Sequence, residues 1–240
     1  MRVNLITLGF WMVFVASVQL SCGQSGQKST NDLVYIKQHI GSKEEKGAVL
    51  ILLHGYGSNE HDLLGLSALL PSSGDVVSFR APITLDENAY CWFPRTGHSS
   101  DAKVDTTIYQ SAAEVLWQSI QHLVEQEGWE GRKLFLAGFS QGAMMCYEMA
   151  RDHSEKFAGI IGFSGSAKAL KHMGVKGKCG ADILMTHGTS DQVLTYDSAL
   201  EAKTRLEGCG ASVTFFSFDG GHQITKEVQQ EAKTWLEKRW

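Results

Sequence analysis

Nothing in this chain prepares it for nucleic acid: 22 Lys and Arg stand against 26 Asp and Glu, the formal charge is −4, and no basic run occurs. The nine histidines are scattered, without the short spacings of a metal-ligand set. No internal repeat is present. Charge is missing altogether between Arg2 and Lys28, yet the apolar part of that stretch runs only from about Leu5 to Leu20. A spanning helix needs roughly 20 predominantly apolar residues, and Gly9, Ser17 and Gln19 interrupt this one. The segment therefore reads as a cleaved export signal over residues 1–21 rather than as a membrane span.

The end of that segment, Gln19-Leu20-Ser21-Cys22, resembles a bacterial lipoprotein signal, in which a cysteine becomes the first mature residue and carries the lipid. A small residue precedes Cys22 and a polar, glycine-containing run follows it, although Gln19 stands where leucine is usual. The expectation is a lipid on Cys22 and a membrane-anchored protein facing the periplasm; ordinary export to the periplasm or medium is the alternative. Residues 22–31 are small and polar and read as a flexible tether. The folded part is expected at 32–240, the size of one ordinary domain with enough apolar residues to bury a substantial core.

What the chain does have is organised around Gly138-Phe139-Ser140-Gln141-Gly142. The apolar run before it reads as a buried strand and Ala143 to Ala150 as a helix. A serine with glycine two places before and two places after, set between strand and helix, has the form of a nucleophile elbow. The turn is too tight for side chains on its neighbours, so the glycines free the Ser140 hydroxyl to project from the carboxyl end of the sheet. The positive end of the helix points toward it.

Such a serine needs an acid after a later strand and then a histidine, in that chain order. Ile183 to Gly188 reads as a strand, and Asp191 follows on a turn. One histidine remains after Asp191: His222, directly beyond the strand-like Ser212 to Phe218. Ser140, Asp191 and His222 thus all fall just past the carboxyl ends of predicted strands, the edge where open α/β sheets gather their sites. Ser164 and Ser166 lack the flanking glycines at both required places and are not rivals.

An acyl-transfer site also needs fixed N–H donors for an oxyanion. His54-Gly55-Tyr56-Gly57 follows the continuous apolar run Ala48 to Leu53. The expected donors are the main-chain amides of Tyr56, from this early loop, and Gln141, the residue after the nucleophile. His54 reads as a structural histidine that orders the loop. Residues 83–105 show little periodicity and carry Trp92 and Phe93, which either line a substrate pocket or anchor the loop to the core.

The remaining elements follow from periodicity. Leu63 to Leu70 reads as a helix ended by Pro71, and Asp75 to Phe79 as a strand. Ile108, Ala112, Val115, Leu116, Ser119 and Leu123 recur at helical spacing and form a core-facing stripe. Phe157 to Phe163 is a buried strand; Tyr196 to Leu206 and Ile224 to Trp240 are helices. The fold class is α/β: a single domain with a mostly parallel central sheet covered by helices on both faces. Cys179 and Cys209 each precede a predicted strand, which puts both at the amino edge, where they can pair in an oxidising compartment. Cys146 is expected buried and free.

His54-Gly55-Tyr56-Gly57, Arg80-Ala81-Pro82, Trp92-Phe93, Gly138 to Gly142, His187-Gly188 with Asp191, and Gly221-His222 occur together in one order. This combination resembles the phospholipase/carboxylesterase family of α/β-hydrolases, which includes acyl-protein thioesterases and small bacterial serine esterases. The resemblance runs from about Gly47 to Trp235. It implies a triad of Ser140, Asp191 and His222, oxyanion donors at Tyr56 and Gln141, Trp92 and Phe93 near the substrate groove, and a small ester as substrate. That chemistry calls for no cofactor and no metal. A serine peptidase on the same fold and a noncatalytic binding lipoprotein stay open beside the esterase. Most relatives are cytoplasmic, whereas this chain carries an export signal.

Overall fold

The computed structural model describes residues 32–42, 44–95, 104–167 and 179–240. The expected signal peptide, the tether and the lipid-bearing Cys22 lie outside the described residues. Seven strands form one sheet in the order β1-β3-β2-β6-β7-β8-β9. These are β1 Tyr35–Ile40, β2 Ala48–Leu53, β3 Gly74–Phe79, β6 Leu134–Phe139, β7 Gly159–Phe163, β8 Asp182–Gly188 and β9 Ser212–Phe218. All neighbours pair in parallel except β1, which runs antiparallel to β3 with Tyr35 opposite Phe79.

The continuous apolar run of β2 has the burial it implies, because side chains of a strand alternate between faces and both faces here are covered. Val49, Ile51 and Leu53 join the core under α1 (Thr106–Glu127), α2 (Gln141–His153) and α3 (Tyr196–Gly208). Ala48, Leu50 and Leu52 join the core under residues 62–69 and α4 (Lys226–Glu237). Each buried leucine or isoleucine contributes about 1.5–3 kcal/mol.

The stripe expected on α1 is its buried face: Ala112, Leu116, Ser119 and Leu123 are buried, with Ile108 and Val115 packed beside them. Asp105 caps its start by accepting from Thr107 and Ile108 N–H, and Gly128 ends it at φ 63°. The segment expected to be a helix over Leu63–Leu70 is a 3-10 helix over Asp62–Leu69. Leu64 and Leu70 N–H reach back three residues, to His61 and Ser67. Three leucines of this short segment still face the sheet.

A second difference concerns residues 83–105. Their described part holds an antiparallel hairpin, β4 Ile83–Asp86 with β5 Ala89–Cys91, whose register shifts between Thr84 and Asp86. Strands this short and irregular leave no alternation in the sequence to read. At the amino edge Cys179 and Cys209 do lie side by side, Cys179 N–H donating to Cys209 O at 2.9 Å, and both are free thiols. Cys146 is buried and free.

The strand order fixes where a site can form. The chain builds β3 on one side of β2 and then crosses to build β6 on the other, so loops leaving β2 and β6 diverge and open a crevice. Leu53 stands opposite Gly138 in register, which sets His54 beside the turn that carries Ser140.

Candidate active site

Ser140 joins β6 to α2 with φ 56° and ψ −112°, a conformation that costs a non-glycine residue about 1–3 kcal/mol. The surroundings hold it there. Ser140 N–H donates to Phe163 O at 2.9 Å, and Ser140 O receives Met144 N–H at 3.2 Å. Both flanking glycines are required sterically: a Cβ on Gly138 would lie 2.4 Å from the Gly142 carbonyl, and one on Gly142 would lie 1.9 Å from Leu53 O. Only bare backbones fit where strand, turn and neighbouring strand converge.

His222 Nε2 stands 2.9 Å from Ser140 Oγ, and His222 Nδ1 stands 2.7 Å from Asp191 Oδ2. A carboxylate accepts, so Nδ1 carries the proton and Nε2 is left to accept from the hydroxyl. Asp191 is itself fixed by main chain, its Oδ1 accepting from Val193 N–H at 2.8 Å and Leu194 N–H at 2.9 Å. The loops that carry Asp191 and His222 are stapled together: Ser190 N–H donates to Gly220 O at 2.9 Å. Gly188 permits this crossing, since a Cβ there would meet Gly220 O at 2.3 Å.

A second imidazole reaches the same carboxylate. His187, fully buried, points Nε2 at Leu194 O (2.8 Å) and at Asp191 Oδ2 (3.3 Å). Both neighbours are acceptors, so Nε2 carries its proton; burial holds its pKa below 6.5 and keeps it neutral. Nδ1 has no hydrogen-bond partner among the described residues. The contact to the carboxylate is what the motif His187-Gly188 with Asp191 did not declare, although a histidine four residues before the acid is a usable signal.

On the other side of Ser140, the loop after β2 is held by side chains. His54 is buried, donates from Nδ1 to Gly55 O at 2.7 Å and accepts Ala81 N–H on Nε2 at 3.0 Å. Burial lowers its pKa, which favours this neutral, singly protonated ring. It orders the loop, as the sequence led us to expect. Trp92 Nε1–H donates to His54 O at 2.9 Å, and Gly57, at φ 78°, donates its N–H to Tyr90 O at 2.8 Å. The hairpin β4–β5 is thus a clamp on this loop.

The Trp92 and Phe93 rings are buried in the core, Phe93 edge-on to Tyr109. Of the two readings of this pair, the structure supports core anchors over exposed pocket walls. Their main chain, however, reaches the site. Gln141 Oε1 accepts Trp92 N–H at 3.1 Å, and Gln141 Nε2 donates to Phe93 O at 2.8 Å. This role for the Gln141 side chain could not be read from sequence, because its partners lie 48 and 49 residues away.

A Cβ built on Gly55 would stand 3.5 Å from Ser140 Cβ, so the loop abuts the serine and Tyr56 follows directly. The main-chain amides of Tyr56 and Gln141 donate to no other described residue. The arrangement offers a hydroxyl with a base beside it, a buried carboxylate behind the base, and two N–H groups on adjoining strand ends. Among the described residues no group of three or more His, Cys, Asp or Glu is placed to hold a metal.

The sequence model of the Phospholipase/Carboxylesterase family matches residues 36–240. The putative hydrolase MhqD of Bacillus subtilis is 24% identical over 201 residues, spanning 84% of this chain and 98% of that protein. Among solved structures, the Bacillus cereus carboxylesterase superposes with a TM-score of 0.76 at 23% identity, over 87% of this chain and 95% of its own. Esterase PE8 superposes with a TM-score of 0.71 at 26% identity, over 86% and 99%.

Proposed function

Because the chain belongs to the phospholipase/carboxylesterase family, we propose that it is a serine carboxylesterase that hydrolyses small or medium carboxylic esters through an acyl-enzyme. One observation carries this reading: the continuous contacts from Ser140 Oγ to His222 Nε2 and from His222 Nδ1 to Asp191, at 2.9 and 2.7 Å. His222 takes the hydroxyl proton as Ser140 Oγ attacks the ester carbonyl. The negative charge that forms on the carbonyl oxygen is held by the amides of Tyr56 and Gln141, already in place before the reaction. Asp191 keeps the imidazole in its Nδ1–H tautomer and stabilises the imidazolium.

As the tetrahedral species collapses, His222 gives its proton to the leaving alcohol and the Ser140 acyl ester remains. Water then gives a proton to His222 while its oxygen attacks the acyl carbon; the carboxylic acid leaves and Ser140 recovers its hydrogen. The order of events needs no group beyond these residues, the substrate and water.

The test is hydrolysis of p-nitrophenyl esters of increasing chain length by the domain from Gly23 onward. Ser140→Ala is expected to lower kcat by about 10³- to 10⁶-fold while leaving the thermal midpoint within a few degrees. Substantial turnover by the variant would remove the assignment. Cleavage of aminoacyl amides in place of esters would make the chain a peptidase, and a folded protein that cleaves neither would make it a binding lipoprotein.

We further propose export and lipid attachment at Cys22, on the pattern of residues 1–22 alone. Mass spectrometry of the mature protein expressed in a bacterium should find a diacylglyceryl group on Cys22; an unmodified, soluble product would end that proposal.

A further inference from the structure

Tyr56 and Arg95 stand together at the rim of the site. Tyr56 is one of a few large apolar side chains left substantially exposed among the described residues, at 38%. Its loop abuts Ser140, and the Arg95 guanidinium sits over its ring, 5.2 Å from Cζ to the ring centroid. Arg95 leaves the fold from a fixed point: the main chain of Trp92 and Phe93 is fastened to the side chain of Gln141, the residue next to Ser140. The ring of Tyr56 under the guanidinium and the Gln141 clamp on the two preceding aromatic residues thus hold this stretch on the Tyr56 side of the crevice.

Among the described residues the charge of Arg95 meets no opposite charge. Arg80, the neighbouring arginine of this wall, lies over Tyr90 and donates from two nitrogens to Glu60, with Arg80 Nε 2.7 Å from Oε2. For Arg95 no carboxylate among the described residues lies within ion-pair distance. The exposed guanidinium is held over an aromatic face, which attracts it without neutralising it. In a chain of net charge −4, a cation without a described carboxylate partner, seated on the loop that abuts Ser140, is suited to meeting an anion.

We propose that Arg95, seated on Tyr56, selects esters that carry an anionic group, a carboxylate or a phosphate, on the acyl or the alcohol part. The inference rests on the esterase reading for its chemistry but not for its binding. The scissile carbonyl lies over Ser140 while the anionic group accepts hydrogen bonds from the guanidinium. A planar fork matches either oxyanion with two bonds. No bond is made or broken at Arg95; it is a specificity residue.

Two measurements test this. The first is kcat/KM for matched pairs differing in charge: monoethyl succinate against ethyl butyrate for the acyl side, and 4-acetoxybenzoate or 4-acetoxyphenyl phosphate against methyl 4-acetoxybenzoate for the alcohol side. The wild type is expected to prefer the charged member of at least one pair. Arg95→Gln should lower that ratio about 10-fold, the scale of a hydrogen bond to a charged group, and Arg95→Lys should restore part of it. Added salt should erode the preference. The second is calorimetric binding of the same uncleaved esters to Ser140→Ala and to Ser140→Ala/Arg95→Gln. Turnover with no charge preference, or a ratio unmoved by Arg95→Gln, overturns the inference while the esterase reading stands. Arg95-dependent binding of the anionic esters without hydrolysis by the wild type leaves the inference standing and removes the esterase reading. Charge-independent binding without turnover removes both.

Discussion

On the Tyr56 side of Ser140, side chains hold the main chain in place; on the His222 side, the main chain holds the side chains. His54, Trp92 and Gln141 spend their polar atoms on carbonyls and amides of the loops around the crevice. Across the serine, Val193 and Leu194 N–H fix a carboxylate, and Gly220 O fixes the turn before it. The difference follows from what each wall supplies. A wall that presents backbone N–H groups must have that backbone immobilised from behind. A wall that presents side chains needs its last rotatable bonds frozen, and short contacts to neighbouring amides do that best.

The largest break in this symmetry comes from Asp191→Asn. The amide can donate to Nδ1 as well as accept, so the imidazole loses the tautomer that leaves Nε2 free, and kcat on p-nitrophenyl butyrate is expected to fall about 10⁴-fold with little change in KM. A loss below tenfold would show that the contact is structural only.

Next is Trp92→Phe, which keeps the buried ring volume nearly intact but leaves His54 O without its donor. Stability in urea should drop by about 1–3 kcal/mol, the cost of an unsatisfied buried polar group. The loosened Tyr56 loop should cost about 10-fold in kcat, a fraction of the roughly 10²–10³ seen when an oxyanion donor is removed outright. Lost stability with unaltered kcat would mean that the loop does not depend on the clamp.

The smallest effect is in the pH profile of stability. His54 and His187 have folded-state pKa values lowered from 6.5, chiefly by burial. The unfolded chain then binds more protons than the folded one between the lowered values and 6.5. Stability contributed by the two neutral rings is complete above 6.5 and is lost as pH falls through their folded pKa values. Each contributes a slope of up to about 1.4 kcal/mol per pH unit in that window. His39, at the amino edge beside Asp75, acts oppositely: its pKa is raised by the carbonyl of Ser42 and by Asp75, so its contribution is lost as pH rises. The fall in Tm below pH 6.5 should be shallower in His54→Gln than in the wild type. An equal slope would move the titration to other groups.

What the sequence made legible is what local rules govern. Ser140 could be placed because two glycines at fixed spacing leave few other structures, and Asp191 and His222 because each follows a strand whose apolar run declares itself. The parallel sheet followed from the same runs. What stayed hidden depends on partners far along the chain or on elements too short to show a period. The hairpin at 83–91 has strands of four and three residues. Trp92 and Phe93 could be read either as pocket or as core, since an aromatic pair looks the same in both roles. Gln141 was visible as an amide and invisible as a clamp, because a side chain's target is a matter of tertiary placement. Arg95 carried no signal until its platform, Tyr56, came into contact with it.

The antiparallel entry of β1 has a practical side. Tyr35 pairs with Phe79 at the carboxyl end of β3, so the chain joins the sheet on the edge that also bears Ser140. Trp240 finishes on the opposite edge, stacked on Phe135, with Lys133 Nζ bound to the carbonyls of Arg239 and Trp240. A support coupled at Asp32 would sit on the edge that bears Ser140, and one coupled at Trp240 would leave that edge facing outward. For immobilising the protein on a bead or an electrode, the direction of one edge strand decides which end to attach.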